Sequence, residues 1–428
     1  MTTEPAGASA PSSPPAGIPD AARPPRSVLY NSAFAAASAG SAVFLLVLLL
    51  LAARALGFEA YGRFSFALAL AVIFETLMDF GLKEVTTRGI ARDPHHAGRY
   101  LQNTFGLKFV LGAVSLAGIA LTAVLLKDDP DVRLAAVLLG VGAVLRSYMT
   151  TVRSVFYGLD RFDLETAVLL ADRVLVLCLG AAALLSGHGV VGLAASFVVA
   201  RALGLLLAGG LAAREVGRLS PAFDLPFWRD LQMRAVPFGA FVVVLQLYNY
   251  VDTVMLGVMR GDAETGLYNG AYRIYEGFAH VPSIISVVLT PRLAREFVQD
   301  RIRHRQTASR GLAVAVLLGI PATAVTLLAA GALTDLLYGP SYAASAATLR
   351  ILSAGFIVVF PLAVLHAIAI SENAERLLVR TAVVGCLVNV AANFILIPRY
   401  GMNGAALATI IGEAVSLAVL GAGMRVRR

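Results

Sequence analysis

The chain has 428 residues, of which 58% are hydrophobic and 14% are charged, and its mean hydropathy is +0.76. This composition excludes an ordinary soluble domain, because most of the chain must lie in lipid. The formal net charge of +8 would suggest nucleic acid in a soluble chain, whereas in a membrane protein the positions of the charges decide their meaning. We therefore expect an all-α polytopic membrane protein with no nucleic-acid partner.

Residues 1–28 contain seven of the eighteen prolines, with Ala, Ser and Gly between them. Such a segment cannot bury a core, so we predict a disordered cytoplasmic tail. It lacks the basic start and short apolar region of a cleavable signal peptide. The first membrane helix is therefore predicted to be a retained signal anchor.

The stretch from Leu29 to Arg92 is predicted to form a transmembrane hairpin. No residue from Asn31 to Ala53 is charged, and about 20 apolar residues at about 1.5 Å each cross a hydrocarbon core. After the break at 56–64, a second apolar run carries Glu75, Asp79 and Lys83 at four-residue steps. This spacing predicts one helix face, and the cost of charge in lipid predicts that the face meets protein or water.

The whole chain divides into twelve predicted spans. Of its 35 Lys and Arg residues, 23 fall on the side of the N-terminus, six on the opposite side and six inside spans. The positive-inside rule therefore places both termini in the cytoplasm. The predicted spans are 29–55, 62–86, 99–126, 134–156, 164–186, 190–213, 235–259, 266–290, 311–338, 345–369, 378–398 and 402–424.

No predicted connection exceeds about 20 residues, which leaves no room for a soluble catalytic domain. One of the two longest, between Arg214 and Arg234, falls where the spans divide six plus six. We predict an N-terminal lobe over 29–214, a cytoplasmic linker over 215–234, a C-terminal lobe over 235–424 and a basic cytoplasmic end over 425–428. The other, from Pro291 to Arg310 with six arginines, is predicted to be a solvated cytoplasmic loop rather than a specific lipid-headgroup site, although anionic lipid would favour it either way.

The two predicted lobes share sequence features. Gly62, Phe64, Ala67 and Phe74 match Gly266, Tyr268, Ala271 and Phe278 at an offset of 204 residues, and the stretch 188–194 resembles 400–406 at an offset of 212. Generic small-residue packing explains either match alone, but two matches in the same order favour a repeat. With six spans in each half, the halves would be related by an axis along the membrane normal.

Several motifs together resemble a known family. In the first lobe they are the hairpin at 56–67, the helix end Asp79-Phe80-Gly81-Leu82 and the stretch 86–92, and in the second they are 266–274, 289–294 and 400–406. Their order and spacing resemble the polysaccharide-transport branch of the multidrug/oligosaccharidyl-lipid/polysaccharide (MOP) exporter superfamily, over roughly residues 29 to 424. The resemblance implies two helix bundles around a central cavity that opens alternately to each side.

The same resemblance implies the function of O-antigen-type members, a flippase for undecaprenyl-pyrophosphate-linked oligosaccharide in the bacterial inner membrane. Membrane lipid and lipid-linked oligosaccharide would be its partners, with a polymerase or glycosyltransferases of the same pathway as further candidates. A cation-coupled multidrug exporter of the same superfamily is the first alternative. A membrane-embedded polymerase or glycosyltransferase is the second, but it would usually need a larger extracytoplasmic loop.

Charges inside the spans indicate the kind of cargo. Counting residues from the predicted span ends places Arg146, Arg173 and Arg201 near the midplane of spans 4, 5 and 6. For any one of them, a structural ion pair or a side chain that reaches toward headgroups is an equally good explanation. Three together favour an anionic cargo such as pyrophosphate, because a guanidinium fork matches phosphate oxygens. The weaker candidates are Lys108, Arg153, Glu75 and Arg273.

The second lobe carries acidic groups at the same depth. Asp252, Glu276 and Glu413 are the candidates for binding a coupling cation, because burial of a carboxylate favours proton or cation exchange. Arg273 and Glu276, three residues apart on one helix, are also placed to neutralise each other. His280 is expected to be a hydrogen-bonded packing residue.

The remaining cysteine, histidine and aspartate motifs do not predict a catalytic or metal site. Cys178 and Cys386 lie far apart in apolar runs and are predicted to be packing residues, Asp129-Pro130-Asp131 is predicted to be a helix-ending turn, and His95-His96 are predicted to be solvated. The sequence contains no phosphate-cradling glycine loop with Lys and Ser or Thr, and no nucleophile elbow. We therefore predict a transporter without catalytic residues, metal or cofactor, driven if at all by a proton or sodium gradient.

Overall fold

A computed structural model describes residues 40–217 and 219–426, with Ala42 and Val426 placed by backbone alone. The predicted tail over residues 1–28 and the start of the first predicted span lie outside this range. Fourteen helices and two 3₁₀ turns make up the described chain, in which no strand occurs. The helices are α1 (Ala42–Asp79), α2 (Leu82–Arg92), α3 (Ala97–Leu126), α4 (Pro130–Gly158), α5 (Phe162–Leu185), α6 (Gly189–Val216), α7 (Leu225–Met259), α8 (Asp262–Ala279), α9 (Val281–Gln299), α10 (Arg301–Tyr338), α11 (Ser345–Ala354), α12 (Phe356–Ser371), α13 (Glu375–Tyr400) and α14 (Met402–Val426).

Ten helical segments of the described chain are long and apolar enough to cross a membrane. An eleventh arises if α11 and α12, bent by 44° at Gly355, form one span. One of the ten, Val43–Arg92, contains residues 43–55 of the first predicted span and the whole of the second. The prediction of an all-α polytopic membrane protein is confirmed, and the count of twelve spans stays a prediction.

Two breaks shape the first segment. Gly57 has φ 75° and ψ 165° inside α1, which separates the parts corresponding to the first two predicted spans. Phe80 and Gly81, at φ 29° and 76°, then end α1 and start α2. The prediction that Lys83 shares a helix face with Glu75 and Asp79 is therefore wrong, and Lys83 lies 5.6 Å from the Tyr157 ring centre instead.

Aspartate caps explain where three helices start. Asp300 accepts hydrogen bonds from the backbone N–H groups of Ile302 and Arg303, so α10 begins at once after α9 ends. The predicted solvated loop at 291–310 is therefore helical throughout, apart from the break at Asp300. Asp129 likewise starts α4 by accepting from the backbone N–H of Asp131, so it begins a helix rather than ending one. Asp224 accepts from the backbone N–H of Phe227 at the start of α7, inside the predicted linker.

Helices α1 and α8 meet at one end of the bundle, formed by residues 57–66, 127–130 and 257–266, which we call the closed end. A Cβ atom added to Gly62 would overlap the carbonyl oxygen of Asp262, and one added to Gly266 would overlap that of Phe58. Ion pairs flank this contact: Lys127 lies 2.5 Å from Asp262, and Arg63 lies 2.9 Å from Asp129 and 3.7 Å from Asp262. The closed end joins helices that the sequence assigns to different lobes.

The start of α7 makes a second contact between the predicted lobes, near the other end of the bundle. Trp228, Leu231 and Ala235 pack on Leu82, Val85 and Leu107 of α2 and α3. The preceding linker is also attached to α3, because the backbone N–H of Ala222 donates to Gln102 and Arg99 lies 3.1 Å from Asp224. The first turns of α7 and the linker therefore pack as part of the N-terminal helices.

Candidate functional site

The three predicted arginines lie at the centres of three helices. Arg146 is two residues from the middle of α4, and Arg173 and Arg201 are within two residues of the middles of α5 and α6. At about 1.5 Å per residue, each lies within about 3 Å of its helix centre. The three are close enough to interact electrostatically with one another, with Glu75 of α1 and with Asp172 of α5.

Arg146 forms a bidentate ion pair with Glu75. Its Nε donates to Oε1 at 2.6 Å and its Nη2 to Oε2 at 2.5 Å, so two parallel hydrogen bonds fix the guanidinium plane. The Glu75 side chain is 7% exposed and that of Arg146 is 29% exposed. Glu75 therefore fixes one edge of the Arg146 guanidinium, while part of the Arg146 side chain remains accessible.

Arg201 pairs across helices with Asp172, at 3.1 Å from Nη1 to Oδ2, and both side chains are nearly fully buried. Asp172 precedes Arg173 in sequence but pairs with a different helix, because consecutive helical residues point about 100° apart. Within residues 40–217 and 219–426, no carboxylate forms an ion pair with Arg173, and its buried Nε and Nη1 have no hydrogen-bond acceptor.

The cluster of three arginines and two carboxylates thus carries one net positive charge if all five groups are ionised. The sequence predicts that the three arginines lie at the same depth, but it predicts no acidic partners for them. Without such partners, three positive charges would be uncompensated in mid-membrane. Two of these charges are balanced by Glu75 and Asp172. The unbalanced cation is Arg173.

Tyr250 of α7 lies near both Arg146 and Arg273 of α8, so it connects the cluster with the second lobe. Arg273 donates from Nη1 to Glu276 at 2.5 Å, which confirms the expected local pair. Tyr61 of α1 also contacts Arg273. The tyrosines were missed because an aromatic residue in an apolar run gives no sequence signal that distinguishes it from core packing.

Asp252 lies in a buried network of neutral polar groups. Its Oδ2 accepts hydrogen bonds from Tyr268 at 3.0 Å and Thr409 at 2.7 Å, and its Oδ1 accepts from Asn393 at 2.5 Å. Asn389 lies 3.3 Å from Asn393 on the same face of α13. No cation pairs with Asp252 among the described residues, so its charge, when ionised, is balanced only by dipoles.

Glu413 occupies a separate position on α14. Both of its carboxylate oxygens accept from the Tyr275 hydroxyl, at 2.8 and 2.9 Å. No partner of Glu413 could be predicted from the sequence, because Tyr275 is 138 residues away. His280 is exposed and lies 2.6 Å from the carbonyl oxygen of Glu276, through Nδ1.

The weaker candidates Lys108 and Arg153 form ion pairs with residues of neighbouring helices. Lys108 is fully buried, pairs with Asp79 and donates to the carbonyl oxygen of Ser147, and Arg153 pairs with Glu165. Between residues 40 and 426, residue 218 excepted, no group of three or more His, Cys, Asp or Glu side chains has metal-binding geometry.

Comparison with known structures defines the fold class. An inward-facing multidrug resistance MATE family transporter of the MOP superfamily superposes with a TM-score of 0.74 at 15% identity, covering 90% of this chain and 94% of that one. The lipid II flippase MurJ in an inward closed conformation gives a TM-score of 0.72 at 14% identity, covering 92% of this chain and 87% of MurJ. The chain is therefore an integral membrane protein with the fold of the MOP superfamily.

The polysaccharide biosynthesis protein family model matches residues 29–297, and the MatE model matches residues 237–395. The chain belongs to the polysaccharide biosynthesis protein family, which confirms the resemblance drawn from its motifs.

Among curated proteins, the chain is similar to two from Haloferax volcanii. Probable low-salt glycan biosynthesis flippase Agl15 is 24% identical over 372 residues, 85% of this chain and 76% of that protein. Probable flippase AglR is 30% identical over 169 residues, 38% of this chain and about a third (35%) of AglR.

Proposed function

We propose that this protein is a flippase that moves lipid-linked oligosaccharide across a membrane for polysaccharide biosynthesis. Support comes from its family and from two similar proteins that are each named as a probable flippase. The finer proposal is that the cargo is an undecaprenyl-pyrophosphate-linked unit, of O-antigen type, in a bacterial inner membrane with both termini cytoplasmic.

The observation that carries the proposal is the free guanidinium of Arg173 inside a cluster that is otherwise balanced. Arg146 and Arg201 are oriented by their carboxylate partners, so they need not lose side-chain entropy when an anion arrives. Arg173 keeps donors without acceptors, and it supplies the net charge that an anionic headgroup would balance. A cationic drug would meet a repulsive site, which favours the flippase over the multidrug exporter.

The proposed cycle is alternating access between the two lobes. In this conformation Gly62 and Gly266 bring the two lobes into close contact at the closed end, and the proposed cycle would separate them there to let the headgroup pass. The lipid tail would stay in the bilayer while the headgroup crosses. A catalytic alternative lacks support in the described chain, where connections between helices are short.

The test is flipping of a fluorescent prenyl-pyrophosphate-linked sugar in proteoliposomes. Arg173→Gln should reduce the flipping rate at least tenfold, since a hydrogen bond to a charged group is worth about 1.5–3 kcal/mol. Arg173→Lys should retain part of the rate, because a lysine keeps the charge but loses the fork. Arg214→Gln, an exposed arginine at the end of α6, is the matched control. Normal flipping by Arg173→Gln would remove the main support for an anionic cargo, and a change in sugar chain length would favour the polymerase.

We also propose that transport is coupled to a cation bound at Asp252. Of the three candidate carboxylates, Glu276 is neutralised by Arg273 and Glu413 receives both bonds from one tyrosine. Asp252 is surrounded by hydroxyl and amide groups whose oxygens are the ligands that hard cations prefer. Rotation of the Asn393 amide would present its oxygen, which accepts no hydrogen bond at present, to such a cation.

Flipping under an imposed sodium or proton gradient tests this assignment. Asp252→Asn should abolish the response to the gradient while Glu413→Gln and Glu276→Gln retain it. Replacing sodium by choline at constant pH separates the two cations. Full gradient dependence in Asp252→Asn would place the ion site elsewhere, and loss only in Glu413→Gln would move it to that residue.

A further inference from the structure

A pocket of about 460 Å³ lies between α10, α12 and α14, away from the arginine cluster and from Asp252. Its wall is aliphatic, with Leu312 from α10, Leu365 and Ile368 from α12, and Leu417 from α14. On α14 the small residues Ala418 and Gly421 leave the space open. The volume falls in the range of small-molecule sites, roughly 300–1,000 Å³, and is too small for a partner helix.

The pocket occupies one half of the membrane thickness. Leu417 and Arg425 mark its extent along α14, and eight residues correspond to about 12 Å. Half of a hydrocarbon core is about 15 Å. Arg425 directly follows the span predicted over 402–424, which places this end of the pocket at the membrane surface and the other end within a single leaflet.

Among the residues that the structure describes, one charged residue lines this pocket, and it lies at the mouth. Arg425 is exposed, in the last turn of α14, and pairs with no carboxylate of the described chain. The other lining residues are Leu312, Pro361, Leu365, Ile368, Leu417, Ala418, Gly421, Ala422 and Met424. An apolar slot one leaflet deep with a cation at headgroup level is complementary to a lipid that has a phosphate head and a hydrocarbon tail.

We propose that this pocket binds one anionic phospholipid of the surrounding bilayer, with an acyl chain between α12 and α14 and the phosphate on Arg425. The site differs from the transport site in its position, in its lobe and in its single cation. The acyl chain would be held by van der Waals packing against the concave wall of the pocket. The hydrophobic effect contributes little, because lipid tails in the bilayer are already in an apolar solvent.

The experiment is native mass spectrometry of the full chain released from nanodiscs that contain equal amounts of phosphatidylglycerol and phosphatidylcholine. The wild-type protein should retain one lipid, enriched in phosphatidylglycerol. Ala418→Trp fills the pocket and should lose this lipid, whereas Ala414→Trp, one turn away on the same helix and outside the pocket, should retain it. Arg425→Gln should lower the preference for phosphatidylglycerol about fivefold, and Arg425→Lys should preserve it.

Arg380→Gln, an exposed arginine near the start of α13, controls for a general loss of positive charge. Lipid retention by Ala418→Trp equal to that of Ala414→Trp overturns the site. An unchanged lipid preference in Arg425→Gln overturns the role of the headgroup. A dimer that only Ala418→Trp dissociates would assign the pocket to a second copy of the chain and would also overturn the proposal. None of these readouts depends on flipping activity.

Discussion

Gly62 and Gly266 pack against each other reciprocally. A Cβ atom on Gly62 would lie 2.8 Å from the nitrogen of Gly266, and one on Gly266 would lie 3.0 Å from the nitrogen of Gly62. Each would also overlap the carbonyl oxygen four residues before the other glycine, that of Asp262 or Phe58. The two glycines are 204 residues apart, and so are Phe58 and Asp262. Such a self-complementary contact is what a two-fold relationship between two halves produces at its axis.

Replacing Gly62 by alanine should destabilise the protein. The added methyl group meets backbone of α8 that cannot move aside locally, and overpacking of this kind costs about 1–3 kcal/mol. Thermal unfolding in detergent measures the loss. Gly210→Ala in α6, where no atom lies within 4 Å of the new methyl group, should be neutral or slightly stabilising. Equal melting temperatures for Gly62→Ala and the wild type would mean that the closed end is open in solution.

The Glu75–Arg146 pair should behave as a unit. Arg146→Gln leaves Glu75 buried without its partner and should destabilise the protein by about 3 kcal/mol, whereas Glu75→Gln/Arg146→Gln together should recover much of that loss. Arg173→Gln should leave stability unchanged, because no partner is lost. Chemical unfolding of the wild type, Arg146→Gln, Glu75→Gln and the double variant measures the coupling. Additive effects of the two single substitutions would contradict the pairing.

The linker should detach from α3 on acidification. The backbone N–H of Phe227 and the Arg99 guanidinium lower the pKa of Asp224 below its ordinary value. A carboxylate with a lowered pKa stabilises the folded state above its unfolded pKa, about 3.9, and the contribution is lost as the pH falls through the folded value. Hydrogen exchange at 219–232 should therefore accelerate only below about pH 4 in the wild type.

Asp224→Asn should give part of that acceleration already at pH 7, because the amide loses the charge that Arg99 contacts. Asp230→Asn, which removes an exposed carboxylate that pairs with Arg234 on the same helix, is the control. Exchange that responds equally to both substitutions would show that Asp224 does not hold the linker.

Cysteine labelling tests the orientation in the membrane. Ser309 and Ser341 are both exposed, and α10 separates them by about 45 Å, more than a hydrocarbon core of about 30 Å. In a background without Cys178 and Cys386, a cysteine replacing Ser341 should react with an impermeant thiol reagent applied from outside. One replacing Ser309 should react only after permeabilisation. The reverse pattern would place both termini outside.

The apolar runs were sufficient to predict an all-α membrane fold, because the cost of unsatisfied backbone groups in lipid allows few alternatives. The depths of Arg146, Arg173 and Arg201 followed from the same counting. The partners did not, because Glu75 and Asp172 reach them from other helices and only packing brings these together. Likewise, the arginines and Pro291 suggested a loop over 291–310, but a single cap at Asp300 allows two helices to follow each other directly.

Asp262 receives cations from two directions at the closed end, Lys127 at 2.5 Å and Arg63 at 3.7 Å. Both cations belong to the N-terminal helices, while the carboxylate belongs to α8. Opening this end therefore requires water to solvate three charges that now solvate one another, and dissolved ions facilitate such an exchange. In the proposed alternating-access cycle, opening of the closed end should accordingly become faster as the ionic strength on that side of the membrane rises, whereas salt on the other side should have no such effect.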